Sequence, residues 1–148
     1  MEIERLGFVL PENAGYQAAL LTSGNAVDAL IGSDIAVDLP IFCVGDSTAR
    51  RLAVTKFNDV RSAAGASDDL VELICRDLSP GEGPVLYLSG MMIAADIGAS
   101  LADAGFKVDR RVVYRAQAIE KPDDAVFAVL AGGNVDGVMF YSPRSARI

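Results

Sequence analysis

Residues 41–48 read Ile41-Phe42-Cys43-Val44-Gly45-Asp46-Ser47-Thr48, and this short stretch predicts the fold of the chain. Four apolar residues suit a buried strand, and the polar turn that follows is typical of a helix start. The segment from Ala49 to Val54 is then predicted as the helix. A strand that runs through a short turn into a helix is the repeating unit of an α/β fold.

The same unit recurs along the whole chain. Predicted strands are Gln17–Leu21, Ile41–Val44, a weak run around Val60, Val85–Leu88, Val108–Tyr114 and Val135–Tyr141. Predicted helices are Ala26–Ile31, Ala49–Val54, Ser67–Leu78, Ile93–Ala104 and one that Pro122 opens and Gly132-Gly133 closes. Alternating strands and helices joined by short loops predict a flavodoxin-like, three-layer α/β domain with a mostly parallel sheet.

Composition and charge narrow the function classes. The chain has 148 residues, 51% of them hydrophobic, which is typical of a globular protein with a real core. The formal net charge of −7 argues against a nucleic-acid or anionic-membrane surface. No apolar run reaches the roughly 18 residues of a transmembrane helix, and the first residues do not form a signal peptide. We therefore predict a cytoplasmic protein with no nucleic-acid or membrane partner.

The absence of histidine excludes two kinds of site within this chain. Without histidine there is no Ser-His-Asp triad and no His-ligated metal. Cys43 and Cys75 are the only cysteines, too few and too scattered for a zinc site. Their apolar surroundings predict that both are reduced and buried. We predict no metal site.

Polar clusters follow four of the predicted strands. They are Thr22-Ser23-Gly24-Asn25, Asp46-Ser47-Thr48, Ser89-Gly90 and Ser142-Pro143-Arg144-Ser145. Each combines hydroxyl groups with the N–H groups of a helix start, which bind carboxylates or phosphates without a basic residue. For any single loop, helix capping is the favoured alternative. Because ligands of such sheets sit at the carboxyl ends of the strands, four such loops together favour a binding site.

Four motifs resemble one enzyme family. They are TSGNAV (residues 22–27), VGDSTAR (44–50), VVYRA (112–116) and MFYSPRSA (139–146). In this order, with a VLYLSG segment (85–90) between the second and third, they resemble uroporphyrinogen-III synthase over nearly the whole chain. The first and last motifs also resemble each other, as expected for two related domains.

The resemblance implies two domains. In this family the chain starts in one α/β domain, builds a second completely, and returns to finish the first. Residues 1–117 would then form a complete domain with linker strands at both ends, from Met1 to about Gly7 and from about Arg110 to Ala116. Residues 118–148 would be part of a second, similar domain, whose remainder is expected outside this sequence. The resemblance implies a monomer for the full-length protein, and self-association of this chain is an open alternative.

The resemblance also implies a reaction. The family is a lyase that cyclises hydroxymethylbilane to uroporphyrinogen III, with inversion of ring D and loss of water. It serves tetrapyrrole synthesis, toward haem, sirohaem and cobalamin, and uses no metal or organic cofactor. Uncatalysed closure gives the uninverted isomer, so the main task is to hold a folded substrate.

Candidate site residues follow from the matched motifs. Tyr114 matches the tyrosine proposed to assist departure of the substrate hydroxyl, with a packed strand aromatic as the alternative. The residues implied in substrate binding are Thr22, Ser23, Gly24, Asn25, Ser47, Thr48, Ser89, Gly90, Ser142, Arg144 and Ser145. Arg110 and Arg111 are predicted to lie on a solvated strand face, and Tyr87 is predicted to be structural.

Two other functions stay open at this point. The first is a flavodoxin-like nucleotide- or anion-binding module without catalysis, since TSGN resembles a phosphate-binding loop in kind. Against it, neither G-x-G-x-x-G nor GK[ST] is present. The second is a chain that retains a ligand surface but no turnover.

Overall fold

The computed structural model describes residues 2–12, 14–63, 65–118, 123–133 and 135–139. The chain divides into two compact units, one of residues 5–115 and the other of residues 1–4 with 116–148. The larger unit contains every buried apolar side chain of the described residues.

Six strands form one sheet among the described residues. They are β1 (Glu2–Arg5), β2 (Ala18–Leu21), β3 (Ile41–Cys43), β4 (Val60–Ser62), β5 (Val85–Gly90) and β6 (Val108–Gln117), and their order in the sheet is β1-β6-β5-β2-β3-β4. The pairs β2–β3, β3–β4, β2–β5 and β5–β6 are parallel. The predicted α/β fold with a parallel sheet is therefore confirmed.

The strand β2 has β3 and β4 on one side and β5, β6 and β1 on the other. A flavodoxin-type sheet would place one strand on one side and three on the other. The chain reverses its direction of travel across the sheet between β2 and β5, which pair from Ala18 with Val85 to Leu21 with Leu88. Ligands of doubly wound sheets bind at such a switch point, outside the carboxyl ends of the two strands.

Helices cover both faces of the sheet. The short 3-10 helix Gly24–Ala26 leads into α1 (Val27–Ile31), and α1 packs with α2 (Asp46–Ala53) on one face through Leu30 and Leu52. The opposite face is covered by α3 (Ser67–Asp77) and α4 (Ile97–Asp103), through side chains such as Ile74 and Leu101. Strands buried on both faces read as continuous apolar runs, which is why β2 and β3 contain no polar residue.

Two turns show how the sequence sets the helix starts. Gly45 has φ of 81°, a left-handed conformation that favours glycine, and it lies in the turn that connects β3 to α2. The helix predicted to begin at Ile93 begins instead at Ile97. There the Asp96 carboxylate accepts the N–H of Ala99 at 3.0 Å, so that the capping residue, and not the apolar run before it, fixes the start.

The smaller unit contains α5 (Asp124–Ala131), which Asp123 caps by accepting the N–H of Ala125 at 3.0 Å. All eight residues of α5 are exposed. The strand predicted from Val135 to Tyr141 is wrong for residues 135–139, which are not in a strand, and Phe140 and Tyr141 lie outside the described residues. A strand needs a paired neighbour for its backbone groups, and none of the sheet's described pairings involves this segment.

Candidate active site

Three of the four predicted loops lie at the carboxyl edge of the sheet. Residues 22–25 follow β2, residues 46–48 follow β3, and Gly90 ends β5. The parallel register places the ends of these three strands side by side. The fourth predicted cluster, with Ser142, Arg144 and Ser145, lies outside the described residues.

Part of the loop after β2 caps the 3-10 helix that follows it. Ser23 Oγ accepts the N–H of Asn25 at 3.2 Å, and the Ser23 carbonyl accepts the N–H of Ala26 at 3.1 Å. Thr22 Oγ1 lies 3.4 Å from the hydroxyl of Tyr87, which belongs to β5. The hydroxyl groups of Thr22 and Tyr87 therefore meet across the switch point between β2 and β5.

Arg51 joins the loop after β2 to the helix after β3. Its Nη1 donates to the carbonyl of Gly24 at 2.7 Å, and its Nη2 lies 3.4 Å from Asp28 Oδ1. A β-carbon at Gly24 would lie 3.0 Å from Arg51 Nη1 and 3.8 Å from Thr48 Oγ1. Glycine at position 24 thus lets two of the predicted binding loops approach closely.

In the part of the chain that the structure describes, some backbone N–H groups in the first turn of α2 are left without an acceptor and could bind a ligand. The N–H groups of Thr48 and Ala49 both donate to the carbonyl of Gly45, at 3.2 and 3.4 Å. No side chain caps this helix, so within the described residues the N–H groups of Asp46 and Ser47 have no acceptor. Ser47 is exposed, whereas Thr48 is only 6% exposed. The Asp46 carboxylate accepts from Ser62 Oγ at 2.9 Å and adds a negative charge beside these donors.

Arg110 was predicted to lie on a solvated strand face, and it is exposed. Its guanidinium is in addition hydrogen-bonded to the end of β5, which the sequence did not indicate. Its Nε donates to Ser89 Oγ at 2.8 Å, and its Nη2 donates to the carbonyls of Gly90 and Met91 at 3.0 and 3.3 Å. The side chain of Ser89 is therefore engaged inside the protein, and its residue is only 1% exposed. Arg111 pairs with Asp109 through Nη2, at 2.9 Å.

Tyr114 reaches the same edge through a β-bulge. Ser89 pairs with Val112 but Gly90 pairs with Tyr114, so Val113 is the extra residue. Consecutive residues of a regular strand face opposite sides, yet Val113 and Tyr114 both join the core cluster under α1 and α2. The bulge thus brings the Tyr114 ring against Gly90, and leaves the residue 9% exposed.

The electrostatics of the edge centre on Tyr87 and Arg110. Burial raises the pKa of the Tyr87 phenol above its usual value, although the Thr22 hydrogen bond and the charge of Arg110 oppose that shift. Hydroxyls, N–H groups and the guanidinium groups of Arg51 and Arg110 together form a donor-rich edge that suits carboxylate groups. The sequence did not identify Arg51 or Arg110 as part of it. The only signal in the sequence was a glycine at each contact, Gly24 for Arg51 and Gly90 for Arg110, since glycine lets another chain segment approach closely.

Other features lie away from this edge. A cavity of about 710 Å³ lies at the amino ends of the strands, lined among others by Phe8, Leu10, Tyr16 and Ile35. It contains none of the predicted site residues. In the described part of the chain, no group of three acidic, cysteine or histidine side chains could hold a metal ion. No helix there has both the length and the apolar character needed to cross a bilayer.

Comparisons with known proteins bear on the fold and the family. The chain is similar to the crystal structure of uroporphyrinogen-III synthetase from Helicobacter pylori 26695, with a TM-score of 0.62 and 20% sequence identity. The similarity covers 86% of this chain and 58% of that chain, so the sequence spans a little more than half the length of that protein. No curated protein sequence matches.

The family comparison covers more of the sequence. The family model HEM4, described as uroporphyrinogen-III synthase HemD, matches residues 1–148. The resemblance stated from four motifs is therefore confirmed across the whole sequence. The chain belongs to the uroporphyrinogen-III synthase HemD family.

Proposed function

We propose that the protein cyclises hydroxymethylbilane to uroporphyrinogen III, with inversion of ring D and loss of water. The observation that carries this proposal is the family match over residues 1–148. The substrate class would be a linear tetrapyrrole with acetate and propionate side chains. The reaction would serve tetrapyrrole synthesis, and the enzyme would be a lyase.

The carboxyl edge offers groups suited to such a substrate. The N–H groups at the start of α2 and the loop of residues 22–25 would receive carboxylates. Thr22, Ser23, Gly24, Asn25, Ser47, Thr48, Ser89 and Gly90 are the described candidates for this role. Because the side chains of Ser89 and Thr48 are buried, we propose that these two act by shaping the backbone. Met91 and Met92, both exposed after β5, would supply an apolar wall.

Holding the substrate in a folded shape would be the main source of selectivity. Loss of water leaves a reactive azafulvene at one end of the chain, and the far end attacks through a spiro intermediate that fragments and recloses. A site that fixes both ends converts this closure into an oriented, intramolecular step. Tyr114 is the candidate that would donate a proton to the leaving hydroxyl. Orientation of the two ends of the substrate would contribute more than this proton transfer.

The structure constrains how the loops could be used. The Ala26 and Ala49 N–H groups are occupied within their own turns, by the carbonyls of Ser23 and Gly45. Those of Asp46 and Ser47 are the better candidates for a carboxylate. The alternative of a nucleotide- or anion-binding module without catalysis has no observation in its favour. A cytoplasmic location and a monomeric full-length protein remain predictions from the sequence.

The test is an isomer assay. Hydroxymethylbilane would be supplied to this chain and to the full-length gene product without added cofactor, and the oxidised products would be separated by isomer. We expect the type III isomer from the full-length product. If both proteins give only the type I isomer at the rate of the buffer control, the proposal is wrong. Type III product from the longer protein alone would make this chain a binding part of the enzyme.

A further inference from the structure

The guanidinium of Arg110 is fixed in place by uncharged oxygen atoms. Its three hydrogen bonds go to the hydroxyl of Ser89 and to the carbonyls of Gly90 and Met91. All three acceptors belong to the end of β5 and the residue after it, at the switch point of the sheet. The side chain is thus held at the edge where the candidate site lies.

The charge of Arg110 has no acidic partner within 4 Å in the described part of the chain. Five other arginines there are paired with an aspartate; they are Arg5, Arg51, Arg61, Arg76 and Arg111. The nearby carboxylate of Asp96 caps α4 and makes no ion pair with Arg110. Because its acceptors are uncharged oxygen atoms, no paired carboxylate among the described residues offsets the positive charge of Arg110, in a protein whose net charge is −7.

Arg110 also keeps donors available. A guanidinium carries five N–H donors, and the bonds to β5 use Nε and Nη2. The Nη1 group has no acceptor among the described residues, and the residue as a whole is exposed. An arginine whose orientation is already fixed loses less conformational freedom when it binds an anion.

We propose that Arg110 binds a carboxylate of the tetrapyrrole through Nη1, while Ser89, Gly90 and Met91 hold the guanidinium in position. This inference rests on the proposed function and adds a residue that the family motifs did not supply. It assigns a role to Ser89 as well, since the buried hydroxyl would orient Arg110 without touching the substrate. In this hydrogen bond both the guanidinium and the carboxylate are ionised, whereas a backbone N–H donor is neutral.

The experiment is a fluorescence titration of the intact chain with uroporphyrin III, an octacarboxylate, at low and at high salt. Arg110→Met should weaken binding about tenfold to a hundredfold at low salt. It should also make the affinity less sensitive to salt, because one attraction between opposite charges is lost. Arg110→Lys should retain part of the affinity, and Arg110→Gln serves where Arg110→Met does not fold. The matched control is Lys107→Gln, which removes one positive charge at the amino end of the same strand.

The outcomes separate this inference from the proposed function. If the wild-type chain binds and Arg110→Met binds equally well, the role of Arg110 is wrong and the proposed function stands. If Arg110→Met binds weakly but with the salt dependence of the wild type, Arg110 only anchors the loop, and the inference is again overturned. Ser89→Ala, which keeps the charge, should cost less affinity than Arg110→Met. Failure of the wild-type chain to bind uroporphyrin III would overturn this inference, whereas the isomer assay alone decides the proposed function.

Discussion

The ring of Tyr114 occupies the space that a side chain at Gly90 would need. A β-carbon built on Gly90 would lie 2.6 Å from Tyr114 Cζ and 2.8 Å from its hydroxyl oxygen. Real β-carbons do not approach other atoms so closely, so the tyrosine can hold this position only because residue 90 is glycine. The pairing of Gly90 with Tyr114, after the bulge at Val113, produces this contact.

The first prediction is that Gly90→Ala destabilises the protein by about 1–3 kcal/mol, because the methyl group forces the Tyr114 ring or the strand to move. Chemical denaturation would measure the loss. The matched control is Gly7→Ala, where a β-carbon meets nothing within 4 Å. In a Tyr114→Ala background the cost of Gly90→Ala should largely disappear. An equal cost in both backgrounds would show that the ring is not the obstacle.

The second prediction is that Tyr114→Phe slows turnover about tenfold to a hundredfold, at the lower end of what a general acid contributes. The ring and its packing against Gly90 are kept, so stability should hardly change. Initial rates with hydroxymethylbilane would measure the effect in whichever form of the protein turns over. Tyr16→Phe is the control, since it removes the same atom at the amino edge, where the Tyr16 hydroxyl donates to Asp109. Unchanged turnover in Tyr114→Phe would assign Tyr114 to packing alone.

The third prediction concerns Asp46, whose charge helps α2 and opposes an anionic ligand. Asp46→Asn should lower stability by about 0.3–1 kcal/mol, because it removes a carboxylate from the positive end of a helix. It should tighten the binding of uroporphyrin III about threefold, for the same electrostatic reason. Denaturation and fluorescence titration would measure the two changes. The control is Asp103→Asn, which removes a carboxylate from the carboxyl end of α4. Equal effects of both substitutions on binding would contradict a site at the start of α2.

The fourth prediction separates the two cysteines. Burial, with a smaller contribution from the charge of Asp46, raises the pKa of the Cys43 thiol from 9.0 to about 11. Cys75 is exposed, which corrects the expectation that both would be buried. Near pH 8 a thiol reagent should modify Cys75 quickly and Cys43 only after unfolding. Rapid modification of both thiols in the folded protein would contradict the burial of Cys43.

The same thiol has a defined effect on stability. Because the folded protein favours the neutral thiol, the contribution of Cys43 to the free energy of unfolding is fully present below pH 9. That contribution is lost as the pH rises from 9.0 to about 11. The free energy of unfolding of Cys43→Ala should therefore fall less than that of the wild type over this pH range, as chemical denaturation would measure.

The sequence predicts the fold well because the signals are local. Apolar runs such as Ile41–Cys43, followed by a turn with Gly45, identify each strand and helix start without any knowledge of distant contacts. The weakest run, around Val60, became the edge strand β4, where one side has no neighbour to bury it. The start of α4 was misplaced because Ile93 continues the apolar pattern, while the hydrogen bond that Asp96 accepts from the N–H of Ala99 decides the boundary.

The sequence predicted only part of the candidate site. Loops at the ends of β2, β3 and β5 follow from the α/β pattern, and their polar residues stand out. The bulge at Val113 depends on how β6 meets β5, which no local pattern specifies. Strand alternation places Arg110 on an exposed face, but it says nothing of how a long side chain reaches the end of the neighbouring strand. Its contacts to Ser89 and Gly90 could be found only in three dimensions.

The last prediction tests the division of the chain into two units. Every side chain of the two core clusters belongs to residues 8–114, and none belongs to α5. Val126, Phe127, Val129 and Leu130 are instead 48–59% exposed. Removing residues 119–148 therefore takes none of the described side chains out of the core, and the shortened chain should unfold with an unchanged midpoint.

The exposed apolar helix also predicts how the two lengths of chain differ in solution. At roughly 25 cal/mol per Å², covering a few hundred Å² of apolar surface is worth several kcal/mol, comparable to the stability of a whole domain. The 148-residue chain should therefore associate as its concentration rises, through a copy that covers α5, and the shortened chain should stay monomeric. Thermal unfolding and sedimentation would measure both properties. If the shortened chain is unfolded, the residues after Ala118 belong to the main fold, and the predicted domain boundary at residue 117 is wrong.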